Sequence, residues 1–183
     1  MSAKRLLLAP VLGYVLWLVM AYDYHFLDGV NLLFHEAGHV FLGFFGETLH
    51  FLGGTLGQLF FPIACGVHFL QRQQRFEGWL MGIWLAESLM YTARYLGDAR
   101  DQILPLVGGH IHDWGFLLGR WGLIDQCEAI AAALHVLASA LAVVCWVGAW
   151  RSAGAESPVV VPGIQARPAN HERPGSHRPS SLT

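Results

Sequence analysis

The chain has 183 residues, of which 54% are hydrophobic and 13% are charged, and its formal net charge is −2. A soluble domain carries roughly 25% charged residues, so this composition is typical of a membrane protein. The small negative charge, with no basic face, excludes the electrostatic footprint of a nucleic-acid-binding protein. The length is enough for one folded domain.

Apolar runs along the chain predict membrane-spanning helices. Lys4 and Arg5 precede the first run, so the positive-inside rule places the N-terminus in the cytoplasm. No small-x-small cleavage site follows that run, which favours a retained anchor over a signal peptide. The runs cover residues 6–22, 30–45, 59–70, 76–96 and 128–150.

The segment after the second run is rich in Gly, Thr and Gln, which predicts a broken or re-entrant stretch near residues 46–62. Extended backbone at membrane depth is tolerated only where protein or water covers it. Gly53 and Gly54 would then belong to a cavity wall, and residues 30–70 would make one net crossing. The predicted fold is an all-α polytopic membrane helical bundle with four to five spans.

The second apolar run contains His35, Glu36, Ala37, Gly38 and His39, which form an H-E-x-x-H motif. On a helix, positions i and i+4 share a face, so both imidazoles can hold one tetrahedral zinc ion. Glu36 is rotated by about 100° and could take a proton from water beside the ion. A bound cation also explains why an apolar segment tolerates these polar groups. The small residues between the motif's polar positions permit close helix approach. The alternative is a histidine pair hydrogen-bonded across the bundle.

The sequence FHEAGH in an apolar helix resembles the site-2 protease class of intramembrane zinc metallopeptidases, over about residues 30–62. The resemblance implies that His35 and His39 bind zinc and that Glu36 is the general base. The following glycine-rich segment loosely resembles that class's re-entrant segment, which could pair with an unfolded substrate backbone. One departure concerns the third ligand. The class takes it from an Asn/Asp-Gly motif on a later span, whereas Asp28-Gly29 precedes HEAGH here.

The whole chain also resembles a group of bacterial membrane proteins with no assigned activity. The stretches that carry this resemblance are HEAGH, GGTLGQLFFP, YLGDARDQILPLVGG and HDW.

The third zinc ligand must reach the outer end of the motif helix. His112 is the preferred candidate, because zinc favours nitrogen ligands. Asp113 and Asp98 are the alternatives as direct ligands, and Asp113 could instead orient an imidazole or cap the following helix. Glu87, in the middle of an apolar run, is a further functional candidate. It could hydrogen-bond a ligand histidine or pair with Arg94.

These patterns predict a membrane-embedded zinc metallopeptidase that hydrolyses peptide bonds within or beside the bilayer. His35, His39 and His112 would hold zinc, and Glu36 would be the catalytic base. The expected partners are the lipid bilayer and a membrane protein or peptide substrate, and the expected location is the bacterial inner membrane, with several passes. Two alternatives remain open: a zinc-dependent membrane hydrolase of lipid amides or esters, and a non-catalytic metal-binding membrane protein. A structural site would be closed by four protein ligands, whereas a catalytic site keeps an open position.

The predicted domain organisation has two parts. Residues 1–150 form the transmembrane zinc-site domain. Residues 151–183 are rich in Pro, Ser and Arg, cannot bury a core, and are predicted to be a disordered cytoplasmic tail.

Overall fold

The computed structural model describes residues 3–107 and 110–154, and the regular elements in these ranges are all helical. This confirms the all-α prediction. The predicted tail lies, from residue 155 onward, outside the described residues. The helices are α1 (Ala3–Ala21), α2 (Phe26–Leu42), α3 (Glu47–Gln71), α4 (Arg75–Gly97), α5 (Asp113–Trp121) and α6 (Cys127–Ser152), with short 3-10 turns at Gly43–Phe45 and Ile124–Gln126.

Three helices in the described ranges are long and apolar enough to cross a membrane: α1, α3, and α6 with its preceding turn. Helix α2 has 17 residues, which is shorter than the roughly 20 that a perpendicular span needs. Helix α4 has 23 residues but carries Glu77, Glu87 and Arg94 within it. The chain is therefore built like a membrane protein, but the predicted count of four to five spans is not confirmed.

The predicted break near residues 46–62 is wrong, because α3 runs through this segment as one helix. The chain reverses just before it, at Gly46, whose φ of 106° lies in the left-handed region that glycine adopts without strain. The reversal makes α2 and α3 an antiparallel helical hairpin.

The glycines of α3 serve close packing against α2. A Cβ on Gly38 would lie 2.0 Å from the carbonyl oxygen of Gly53, and a Cβ on Gly57 would lie 2.4 Å from that of Phe34. Small residues four apart let two helix backbones approach in an apolar environment, where packing rather than the hydrophobic effect drives association. The close approach predicted at Gly38 is confirmed, and the same physics explains why the glycine-rich stretch does not break the helix.

Helix α4 is the centre of the bundle, with α6 and α1 packed on one side and α2 and α3 on the other. Gly82 of α4 allows α6 to approach closely, since a Cβ on Gly82 would lie 2.5 Å from the Sγ of Cys145. The shared core consists of Val15, Leu18, Ile83, Ala86, Met90, Ala138, Ala142 and Cys145. This core fixes the position of α4, and the polar side chains of α2 pack against α4.

Candidate metal centre

The two histidines of HEAGH lie one turn apart on α2, with ring centroids 4.7 Å apart. Asp113, the first residue of α5, lies against both of them. Its Oδ2 atom is 2.9 Å from Nε2 of His35 and 3.2 Å from Nε2 of His39. We call His35, His39 and Asp113 the cavity cluster. His35 and Asp113 are buried, and His39 is partly exposed.

Hydrogen bonds that involve α3 and α4 fix which ring nitrogen of His35 carries a proton. The amide nitrogen of Gln58 donates to Oγ1 of Thr92 at 2.7 Å and to the carbonyl oxygen of Ser88 at 3.1 Å. The amide oxygen of Gln58 therefore faces His35, 3.1 Å from Nδ1. Because that oxygen can only accept, Nδ1 carries the proton and the lone pair of the neutral ring is on Nε2.

The same argument applies to His39. Its Nδ1 lies 2.8 Å from the backbone carbonyl oxygen of His50, which is also an acceptor only. Both imidazoles thus hold their proton on the side away from Asp113. Such outer hydrogen bonds are how proteins orient metal-binding histidines.

When both rings are neutral, two Nε2 lone pairs therefore converge on one carboxylate oxygen. Three electron-rich atoms repel one another unless a cation lies between them. Bonds of about 2.0–2.2 Å to a tetrahedral ion would separate its ligand atoms by roughly 3.3–3.6 Å, slightly more than the 2.9 and 3.2 Å between Asp113 and the two rings. Two imidazole nitrogens and one carboxylate oxygen are a donor set that fits a divalent transition metal.

The environment of Asp113 keeps it ionised, as a metal ligand must be. Burial raises the pKa of this carboxyl, but the neighbouring rings of His35 and His39 outweigh burial and hold the pKa below its usual value. The start of α5 also favours a negative charge, because the helix dipole is positive there. The backbone N–H of Asp113 donates to the hydroxyl of Tyr95 at 3.2 Å, which anchors the helix start to α4.

The glycine at position 54 makes room for the imidazole of His35. A Cβ there would lie 2.3 Å from Nε2 of that ring. Gly54 thus lies against His35 within a helix, and the predicted cavity wall of extended backbone at Gly53 and Gly54 is not observed.

A cavity of about 610 Å³ opens beside the cavity cluster and is lined by all three of its members. Glu36 lines the same cavity and is half-buried. This volume is in the range of small-molecule and short-peptide pockets. Its apolar wall comes from α2, α3 and the α4–α5 loop and includes Leu32, Val40, Phe51, Leu104, Pro105, Leu106, Val107 and Ile111.

His112, the preferred third ligand in the sequence prediction, is buried but engaged elsewhere. Its Nδ1 accepts a hydrogen bond from the backbone N–H of Gly115 at 3.1 Å, which caps α5, and its ring stacks on Tyr95 with centroids 4.1 Å apart. Burial lowers the pKa of His112, which keeps the ring neutral, as a capping acceptor must be. The structure brings the alternative, Asp113, to the histidine pair in its place.

Asp98 holds the loop that follows α4. Its carboxylate accepts from the backbone N–H groups of Ile103 and Leu104 at 2.9 and 3.0 Å. It lies 3.7 Å from Nε2 of His112, which is beyond hydrogen-bonding distance. Asp98 therefore supports the loop and is not a member of the cavity cluster.

Glu87 has neither of the partners expected from the sequence. It accepts a hydrogen bond from Nδ2 of Asn31 at 2.8 Å, whereas Arg94 pairs with Asp23 at 3.1 Å. Sequence reasoning missed the importance of Asn31 and Asp28. The signal was available, because positions 28, 31, 35 and 38 recur at helical spacing and are the buried residues of α2.

Comparison of the chain with protein-family models, with curated proteins and with solved structures found no match. Functional inference therefore depends on the geometry of the site.

Proposed function

We propose that the chain is a membrane-embedded zinc metallopeptidase in which His35, His39 and Asp113 hold the ion and Glu36 is the general base. The observation that carries this proposal is the convergence of two Nε2 lone pairs on an ionised carboxylate oxygen. Both lone pairs are directed there by Nδ1–H bonds to fixed acceptors.

The ligand set supports the sequence resemblance in one respect. Two motif histidines and an aspartate from a later segment are what the site-2 protease class implies. In this chain, however, the aspartate precedes Trp114 and begins a short helix, rather than standing before glycine.

The chemistry is peptide hydrolysis beside an apolar wall. When bound, the ion supplies Lewis-acid activation of water and of the scissile carbonyl. Glu36 takes the proton of the attacking water and returns it to the leaving amine. The leucine- and proline-containing loop at residues 104–107 and the apolar side of α2 would receive the side chains of a membrane-derived peptide segment.

The membrane setting is supported by the three candidate spans. Location in a bacterial inner membrane, with several passes and a cytoplasmic N-terminus, stays a prediction from Lys4 and Arg5.

The test compares Glu36→Gln with wild type as purified full-length protein in liposomes. Substrates are quenched fluorescent transmembrane peptides, with lipid amides and esters assayed in parallel. We expect unchanged metal content and a fall in peptide cleavage of about 10²- to 10⁴-fold. The control is Glu47→Gln. The carboxylate of Glu47, on α3, pairs with Arg120 at the surface, so this variant should cleave the peptide at the wild-type rate.

Unchanged cleavage by Glu36→Gln would contradict the proposal. A selective loss of lipid turnover would instead favour the lipid hydrolase alternative.

A further inference from the structure

A second group of metal-ligand side chains lies at the start of α2. His25, Asp28 and Glu87 each offer one ligand atom, and these atoms lie within 4.8 Å of one another. We call them the carboxylate cluster. Asp28 and Glu87 are both 0% exposed, and none of the three lines the cavity. Asp28 precedes His35 by seven residues, or about 10 Å along the helix, so this cluster is separate from the cavity cluster.

Asp28 is provided with donors as an anion would be. Its Oδ2 accepts from the backbone N–H of His25 at 2.8 Å and lies 2.7 Å from Nδ1 of the same residue. Its Oδ1 accepts from the hydroxyl of Tyr22. Nδ1 of His25 also faces the carbonyl oxygen of Asp23 at 3.1 Å, so this nitrogen carries a proton.

Glu87 is held by an oriented donor. The indole N–H of Trp84 donates to Oδ1 of Asn31 at 2.9 Å. Because an indole nitrogen can only donate, the amide nitrogen of Asn31 must face Glu87, and it donates to Oε2 at 2.8 Å. The other oxygen, Oε1, is buried and has no hydrogen-bond partner among the described residues.

The unpartnered oxygen faces a nitrogen across a gap that suits an ion. Oε1 of Glu87 lies 3.9 Å from Nε2 of His25, which is too far for a hydrogen bond. Two metal–ligand bonds of about 2.1 Å can span up to roughly 4.2 Å. Burying two carboxylates together is costly unless a cation or a shared proton lies between them. Arg94, on the same helix as Glu87, instead donates to Asp23 and to the carbonyl oxygen of Tyr22.

We propose that His25, Asp28 and Glu87 bind a second divalent metal ion. Two carboxylates and one imidazole suit Mn²⁺ or Zn²⁺. Catalytic metal pairs lie about 3.5–4 Å apart, so an ion about 10 Å from the cavity cluster does not join the reaction. Its ligands come from the start of α2 and from α4, and the ion ties the helix that carries HEAGH to the centre of the bundle.

Tyr14 contacts the nitrogen of His25 that would bind the ion. Its hydroxyl lies 2.7 Å from Nε2 of His25, and it must give up that contact when the nitrogen binds the ion. Tyr14→Phe therefore removes a competitor and should strengthen metal binding, whereas loss of a ligand weakens it.

The test is elemental analysis of purified full-length protein for manganese, iron and zinc. We expect about two ions per chain in wild type, and one each in His35→Ala and Glu87→Gln. Glu77→Gln is the matched control, since Glu77 is on the same helix and pairs with Lys4 near the surface, and it should keep both ions. Calorimetric titration of Mn²⁺ into metal-stripped His35→Ala should show one binding event, which is tighter when Tyr14→Phe is added.

The two metal sites can fail separately. Loss of one ion in His35→Ala tests the cavity cluster alone. If Glu87→Gln keeps the metal content of wild type, the second site is disproved. In that case, infrared spectroscopy identifies what occupies the cluster. A protonated-carboxyl band that is present in wild type and lost in Glu87→Gln would show that a proton, and not a metal ion, lies between the carboxylates. If Glu87→Gln does not fold, Mn²⁺ titration of folded His35→Ala decides the question, because absence of a binding event overturns the proposal.

Discussion

The cavity cluster and the carboxylate cluster contain the same kinds of ligand, but they differ in access. Both lie on the buried side of α2, and each joins imidazole to carboxylate. The cavity cluster borders a space of about 610 Å³ and has Glu36 beside it, whereas Asp28 and Glu87 are fully enclosed. If both proposals hold, an open coordination position, rather than ligand identity, would separate the reactive metal centre from the structural one.

The packing around the two clusters also differs. The cavity cluster depends on the glycine contact between α2 and α3, which positions Gln58 and the carbonyl of His50 behind the two rings. The carboxylate cluster is held by residues at the end of α1, the start of α2 and the middle of α4. Perturbing α3 should therefore affect the cavity cluster first.

The largest effect is expected from Gly38→Ala. The added Cβ would meet the backbone carbonyl of Gly53, which cannot move aside like a side chain. We expect a loss of about 3 kcal/mol in the free energy of unfolding, with release of the cavity metal before the second one. Thermal unfolding in detergent, followed with metal analysis, measures both. Gly13→Ala is the control, because a Cβ there has nothing within 4 Å. Equal unfolding temperatures for the two variants would contradict the packing argument.

The next largest effect is on metal affinity, and it distinguishes Asp113 from His112 as the third ligand. Asp113→Ala removes the proposed third ligand, and we expect metal affinity at the cavity cluster to fall about 100-fold, or roughly 3 kcal/mol. His112→Ala should keep affinity close to that of wild type, since Nδ1 of His112 accepts from Gly115 and its Nε2 lies near Asp98 rather than in the cavity cluster. Competition with a chromogenic chelator measures both constants. The reverse order of the two variants would restore His112 as the ligand.

A smaller effect on metal affinity is expected from changing Gln58, which orients the ring of His35. Gln58→Leu removes the acceptor for Nδ1–H, and we expect metal affinity to fall about 10-fold, at the low end for outer-sphere partners. The carboxylate cluster should be unaffected. Gln71→Leu, at the exposed end of α3, is the control for the same change of side chain. No difference between the two variants would show that Gln58 does not support the ligand.

The smallest effect concerns the start of α5. His112→Ala removes the acceptor for the Gly115 N–H, and we expect a loss of about 1 kcal/mol in the free energy of unfolding. His112→Asn replaces the imidazole with another capping side chain and should recover most of that loss. Chemical denaturation of the two variants measures the difference. If both are equally destabilised, packing of the ring on Tyr95 matters more than the cap.

The glycine-rich stretch shows one limit of sequence reasoning here. Glycines at 53, 54 and 57 are compatible with broken backbone and equally with close helix packing. The choice depends on whether a partner helix presents a matching glycine, and Gly38 of α2 does so. A single segment viewed alone does not contain that information.

The sequence by itself determined the all-helical, apolar character of the chain and the shared face of His35 and His39, because helical periodicity and composition are local properties. For the third ligand it favoured His112, with Asp113 and Asp98 as the alternatives. The tertiary structure placed Asp113 against the histidine pair instead, since the start of α5 turns His112 toward its own helix and Asp113 toward α2. It also brought Asp28 and Glu87 together from separate helices, a meeting that depends on how α2 packs against α4.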